Sequence, residues 1–136
     1  MMETIITQHL VRNEDLNHHG SLFAGRSAEW MTEAAFMTAA SLLPAESIVA
    51  VKINELCYLA PVHSGDVLEI AGKAVYAGNS SIMIYVSAEV RGNKVIEGFS
   101  TFVHIDKDGH SVPHGITIEA VTEEEIALME RAKSIM

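Results

Sequence analysis

The sequence predicts an α+β domain, an antiparallel sheet wrapped around one long central helix, and three observations carry that expectation. A proline-free, alanine-rich apolar run extends from Leu22 to Leu43. The alternating runs that follow it are separated by short turns rich in Gly, Asn and Asp, which read as antiparallel strands. Near the end, Thr122 and Glu125 form a capping signal that opens a short helix. A helix buried by one sheet is a recognised solution to the burial problem, and the whole chain, 1–136, reads as a single domain.

Thr4 to Arg12 is β-branched and apolar enough for a first strand, and Asn13 to Gly20 is a polar loop. Ser21 is placed to cap the helix that follows. Along that helix Ala28, Met31, Thr32, Ala35, Ala39 and Leu42 recur on one side, while Phe23, Trp30, Ala34 and Met37 add a second apolar side. A surface helix needs only one buried stripe, so this one has to be wrapped. Pro44 ends it, because a residue before proline is driven out of the α region.

Ser47 to Leu59 alternates with Val49, Val51 and Ile53 on one side, and Pro61 with the Ser64-Gly65-Asp66 turn closes it. Val67 to Ala77 sets Leu68, Ile70, Ala74 and Tyr76 on one face. After Gly78-Asn79 comes the clearest strand, Ser81 to Val90, with Ile82, Ile84, Val86, Ala88 and Val90 facing one way. Arg91-Gly92-Asn93 is a tight hairpin turn, Lys94 to Ile105 returns, and Asp106-Lys107-Asp108-Gly109 stops it. These strands read as a meander. The last helix runs to about Ile135, with Ile126, Met129 and Ala132 or Lys133 inward.

Composition narrows the function. A net charge of −9 argues against nucleic acid and against anionic membrane surfaces. Cys57 is the single cysteine, so no internal disulfide forms and a cytoplasmic location is expected. The seven histidines and the acidic residues show no metal-site spacing, and no metal is expected. A serine-nucleophile elbow and a phosphate-binding glycine loop are absent.

Most of the polar groups suited to chemistry fall in Asn17 to Glu33. A helix start leaves backbone N–H groups unpaired, and these stabilise an anion or a developing oxyanion. Glu33 lies about two turns into the helix. The same spacing also makes Arg26, Glu29 and Glu33 an ordinary solvated, ion-paired stripe.

The run Asn17-x-x-Gly20-x-Leu22-Phe23-x-Gly25, followed within two helical turns by an acidic residue, resembles the loop and helix start of the hotdog-fold acyl-CoA thioesterases. So does Leu56-Cys57-Tyr58-Leu59-Ala60-Pro61-Val62-x-x-Gly65-Asp66, together with Gly78-Asn79-Ser80-Ser81 and the Asp106 to Gly109 turn. The likeness covers about residues 4 to 115. It implies a homodimer or higher homo-oligomer with a continuous sheet and sites at the dimer interface. Carried over, the resemblance makes Asn17 the residue that orients water or the carbonyl, the amide of Gly25 or its neighbour an oxyanion donor, an acidic residue on the helix the nucleophile or the base that activates water, and His19 with Ser80 or Ser81 substrate contacts. Counting from Gly25, the family's usual carboxylate position holds Thr32, with Glu33 one residue later.

The leading expectation is therefore thioester hydrolysis to free acid and CoA, with no cofactor beyond the CoA of the substrate. A non-catalytic acyl-CoA or acyl-carrier binding module is the alternative that the displaced carboxylate favours. A 3-hydroxyacyl thioester dehydratase using His19 and Glu33 is a third. Arg91, Lys94 and Lys107 are open candidates for CoA phosphate contacts, and Cys57 reads as a small buried hydrophobe.

Overall fold

A computed structural model describes residues 2–136. Its five strands are β1 (Ile5–Leu10), β2 (Ile48–Tyr58), β3 (Val67–Ala77), β4 (Ser81–Val90) and β5 (Asn93–His104). The helices are α1 (Ala24–Ala40) and α2 (Glu123–Ile135). The strands form one antiparallel sheet in the order β1-β3-β4-β5-β2. The α+β class, the wrapped helix and the short C-terminal helix are as the sequence predicts.

The meander needs a correction. Only β3, β4 and β5 follow one another as neighbours, whereas β2 crosses to the far edge and pairs with β5. The segment 59–66 is long enough to make that crossing, and β1 takes the place beside β3 that a simple meander would give to β2.

On one face α1 buries Ser27, Met31, Ala34, Ala35, Thr38 and Ala39. Opposite them lie Leu68, Ile70, Ala74, Ile82, Ile84, Val86, Ala88 and Phe102. The buried stripe is thus rotated from the predicted one, with Thr32 half-buried and Leu42 36% exposed. Close approach of helix and sheet explains Gly72, since a methyl there would collide with the Thr38 hydroxyl, which donates to the Ala34 carbonyl at 2.8 Å. The helix stops at Ala40, where Ser41 donates its N–H to the Met37 carbonyl and its hydroxyl to the Thr38 carbonyl at 2.6 Å.

The other face of the sheet is covered by α2, which packs Leu128 and Ala132 on Val75, Met83, Tyr85 and Phe99. A bulge between Ala74 and Tyr76 moves Tyr76 into this cluster, away from the face shared by Leu68, Ile70 and Ala74. The inner side of α2 is Glu125, Leu128 and Ala132, while Ile126 is 48% exposed. The capping box accounts for the rotation. Thr122 Oγ1 accepts from the Glu125 amide at 3.1 Å, and the Glu125 carboxylate turns inward to accept from the Val121, Thr122 and Met2 amides at 2.9, 3.2 and 2.9 Å. These bonds, Val121 and Met2 foremost, hold the carboxyl below the usual glutamate range despite burial.

The outer edge of β2 is unpaired, and Val49, Val51 and Ile53 along it are 39%, 55% and 53% exposed. Isolated sheets do not ordinarily leave such an edge bare. No helix in the described residues is long and apolar enough to cross a membrane.

Candidate active site

Two segments far apart in sequence meet at the start of α1. A bridge between Leu16 and Leu22 and the bond from Asn17 N–H to the Ser21 carbonyl, 2.7 Å, fold 17–21 into a tight turn. Gly20 takes φ +81° at its tip, a conformation glycine adopts without strain. The Leu22 amide then donates to the Val62 carbonyl at 2.7 Å, docking the turn against the segment that follows β2.

Between them lies a cavity of about 360 Å³, lined by Asn17, Ser21, Ala24 and Ser27 from one side and by Tyr58 and Leu59 to Val62 from the other. Ile96 of β5 completes the wall. The cavity therefore unites the two longest motifs of the sequence. No carboxylate or imidazole lines it among the described residues.

Asn17 is fixed in place. Its Oδ1 accepts from the His19 and Ser21 amides at 2.8 and 3.2 Å, and its Nδ2 donates to Ser21 Oγ at 3.1 Å. Ser21 is consequently a partner of Asn17 and not the helix cap. The N-cap is Phe23, which has no capping side chain. Its carbonyl takes the Arg26 and Ser27 amides, leaving the amides of Ala24 and Gly25 without an acceptor among the described residues. Those two N–H groups point out of the helix start, as an anion or oxyanion site requires.

Asp15, 2% exposed, locks the approach to the helix. It accepts from the Arg12 amide at 2.9 Å and faces Arg26 Nε at 3.5 Å, while its carbonyl takes the Phe23 amide. Arg26 is thus engaged with Asp15, so the expected Arg26–Glu29–Glu33 ion-paired stripe does not form.

Thr32 and Glu33 fall on different sides of α1. Trp30 stacks on His9 of β1, and Phe36 meets Phe102 of β5 edge to face with centroids 6.1 Å apart. Thr32, one turn before Phe36, is half-buried on the flank nearer β5 and β2. Glu33, three residues after Trp30, is exposed on the flank nearer β1 and has no ion-pair partner among the described residues.

The remaining expected contacts lie elsewhere in this protomer. His19 is exposed and its ring tilts against His18 with centroids 4.0 Å apart. Ser80 and Ser81 sit at the opposite end of β4 from Ala88, the partner of Ile96. There the Ser80 carbonyl accepts from the His104 amide and the Ser81 carbonyl from His114 Nε2, at 2.8 and 2.9 Å. Arg91 is paired with Asp66 at 3.2 Å, and Lys94 donates to Tyr85 Oη at 2.8 Å. Cys57 is half-buried on the face away from the cavity and donates its thiol to Glu55 at 3.3 Å. That bond and burial both push its pKa up, which makes it a polar partner of Glu55 and a poor nucleophile.

One participant escaped the sequence reading of roles. Tyr58, 49% exposed at the end of β2, places Oη 3.0 Å from the Ala24 carbonyl and 3.2 Å from Ser27 Oγ. A tyrosine in an alternating strand carries no sign that it reaches a helix start 34 residues earlier.

The sequence profile of the Thioesterase superfamily matches residues 19–97. That is more than half of the chain and takes in the cavity-lining residues Ser21 to Ser27, Tyr58 to Val62 and Ile96 but not Asn17, and the chain belongs to this superfamily. A Bacillus subtilis (strain 168) relative described as an uncharacterized acyl-CoA thioester hydrolase, YkhA, is 27% identical over 124 residues, 87% of this chain and 71% of the relative. Among solved structures, an apo-hexameric acyl-CoA thioesterase superposes with a TM-score of 0.87 at 29% identity, over 96% of this chain and 86% of the other. An acyl-CoA hydrolase from Staphylococcus aureus, solved with butyryl coenzyme A, coenzyme A and coenzyme A disulfide, has a TM-score of 0.81 at 25% identity, covering 96% and 80%. The five-stranded sheet around one helix is the hotdog fold of these enzymes.

Proposed function

We propose that this chain hydrolyses acyl-CoA thioesters to the free acid and CoA, at a site completed by a second copy joined along the open edge of β2. The observation that carries the reading is the cavity at the start of α1, in a thioesterase-superfamily chain, with a fixed Asn17 in its wall and the Ala24 and Gly25 amides left without an acceptor at the helix start among the described residues. The thioester carbonyl accepts from the Gly25 amide. Water adds to the carbonyl carbon, the C–S bond breaks, and the departing sulfur takes a proton as CoA thiol.

Asn17 is assigned to hold the attacking water in the cavity; Thr32 and Glu33, on different flanks of α1 and outside the cavity lining, are assigned to the cavity of a neighbouring copy, Thr32 to position the water and Glu33 to receive its proton. Thr32 lies on the flank toward the open β2 edge and Glu33 does not, so Thr32 is assigned the greater share of positioning. His19, Ser80 and Ser81 are assigned to substrate contacts that a neighbouring copy brings within reach. The mechanism calls for no metal or redox cofactor. A homo-oligomer built on the β2 edge and a cytoplasmic location fit the exposed apolar strand and the free Cys57.

A second reading, an acyl-thioester binding module without turnover, is favoured by one observation: no carboxylate or imidazole lines the cavity among the described residues. Thiol release from a panel of acyl-CoAs separates the two. Turnover by the wild type, with a larger loss of kcat in Thr32→Ala than in Glu33→Gln, supports hydrolysis as described. Thermal stabilisation by an acyl-CoA without any thiol release would replace it with the binding module.

A further inference from the structure

The carbonyl of Ala24 and the N–H of Gly25 belong to the same peptide group, and that group is approached from its oxygen side by two hydroxyls. Tyr58 Oη lies 3.0 Å from the Ala24 carbonyl oxygen and Ser27 Oγ lies 2.9 Å from it, with the two hydroxyls 3.2 Å apart. Ser27 is fully buried, so its hydroxyl is committed to this contact, whereas Tyr58 reaches it from the end of β2. A donor on a peptide oxygen draws electron density from the nitrogen and makes the N–H on the other side a stronger donor. The N–H so strengthened is the unpaired amide of Gly25.

We infer that Tyr58, supported by Ser27, is a positioning residue of the thioesterase site: it orients and polarises the Ala24–Gly25 peptide so that the Gly25 amide binds the thioester oxygen more strongly as charge develops on it. The inference rests on the hydrolase reading and on the role given there to Gly25. Tyr58 transfers no proton and touches no reacting atom. Its ring forms part of the cavity wall, and its hydroxyl acts through the peptide group. The same bond ties the end of β2 to the first turn of α1.

Charge on the carbonyl oxygen is greatest in the transition state, so a strengthened donor there raises kcat more than it lowers KM. The test compares wild type, Tyr58→Phe, Ser27→Ala and the double variant in three readouts. These are steady-state hydrolysis of acyl-CoA, thermal unfolding, and the amide proton shift of 15N-labelled Gly25. The phenylalanine variant keeps the ring and loses only the hydroxyl. Expected for Tyr58→Phe is a loss of kcat of roughly three- to tenfold with KM within about twofold, since the donor is weakened and not deleted. The Gly25 amide proton moves upfield in the same variant, and kcat and shift fall in the same order across the set. An unchanged kcat in Tyr58→Phe, or a loss confined to KM or to the melting temperature with the Gly25 shift unmoved, overturns the inference while leaving the hydrolase reading intact. Absence of turnover by the wild type on every acyl-CoA overturns both, and it is recognised before any variant is measured.

Discussion

His9 and Trp30 stack face to face, ring planes 10° apart and centroids 4.5 Å, and this contact fixes the rotation of α1 about its own axis. It pins one flank of the helix to β1, which turns Glu33 to that side and leaves Thr32 toward β5 and β2. An aromatic pair of this kind contributes about 1 kcal/mol beyond the area it buries. His9→Ala is expected to lower stability by about that much, read by denaturant unfolding. Trp30 is the single tryptophan, so the intrinsic emission of the folded protein should also change.

Gly72 is the second fixed point of helix against sheet. Gly72→Ala should destabilise by about 1–3 kcal/mol through overpacking against Thr38. In a Thr38→Ala background the obstructing hydroxyl is gone, and the same change should cost appreciably less. A double-mutant cycle with no coupling between the two positions would sink this account of their contact.

Asn17 performs two tasks that substitution separates. Asn17→Ala removes the acceptor of two turn amides and should lower both stability, by about 1 kcal/mol, and kcat. Asn17→Asp keeps the acceptor oxygen but brings a negative charge to the cavity wall. Its melting temperature should stay near wild type while kcat falls, because charge beside a developing oxyanion opposes it.

Glu125 gives stability a pH dependence of known sign. Its folded pKa lies below the ordinary value of 4.5, so the unfolded chain binds the proton more readily. The stabilisation is therefore fully present above that value and is lost as pH falls through the folded pKa. Melting temperatures between pH 6 and pH 3 should fall less steeply for Glu125→Gln than for wild type. A Glu125→Gln slope as steep as that of wild type would assign the acid sensitivity to other carboxylates, Glu97 first among them. Burial raises the pKa of Glu97, but its bonds to Tyr85 and Arg131 outweigh this and leave it lowered.

The open edge of β2 makes the assembly sensitive to charge. Ile53→Lys places an ammonium where an apolar side chain is 53% exposed on a strand whose outer edge is unpaired. Lysine on such an edge opposes pairing, so sedimentation should report a smaller species. Loss of activity should accompany it.

How much of this was legible beforehand follows a physical division. The bounds of β3, β4 and α2 were readable because alternation, Gly-Asn turns and a capping box are local signals. The position of β2 was not, because which edge a strand joins is decided by contacts 38 to 56 residues away, such as Tyr58 with Ile96 and Ile48 with His104. Ser21 carries the chemistry of a cap, and only the folded turn shows that Asn17 claims its hydroxyl. The two motif segments of the site were visible as separate runs. Their meeting in one cavity, and the reach of Tyr58 to Ala24, depend on the same long-range pairing that placed β2.

That strand order also bears on the newborn chain. Everything made before residue 67, namely β1, α1 and β2, lacks its sheet partners until β3, β4 and β5 have left the ribosome. The apolar faces of α1 and of Val49, Val51 and Ile53 are therefore exposed together during the first half of synthesis, when hydrophobic surface is most open to misassociation. The hairpins of β3 to β5 close quickly once available, being local in sequence. Translation speed over residues 67–104, more than the final stability of the domain, is thus expected to govern how much of the chain arrives folded.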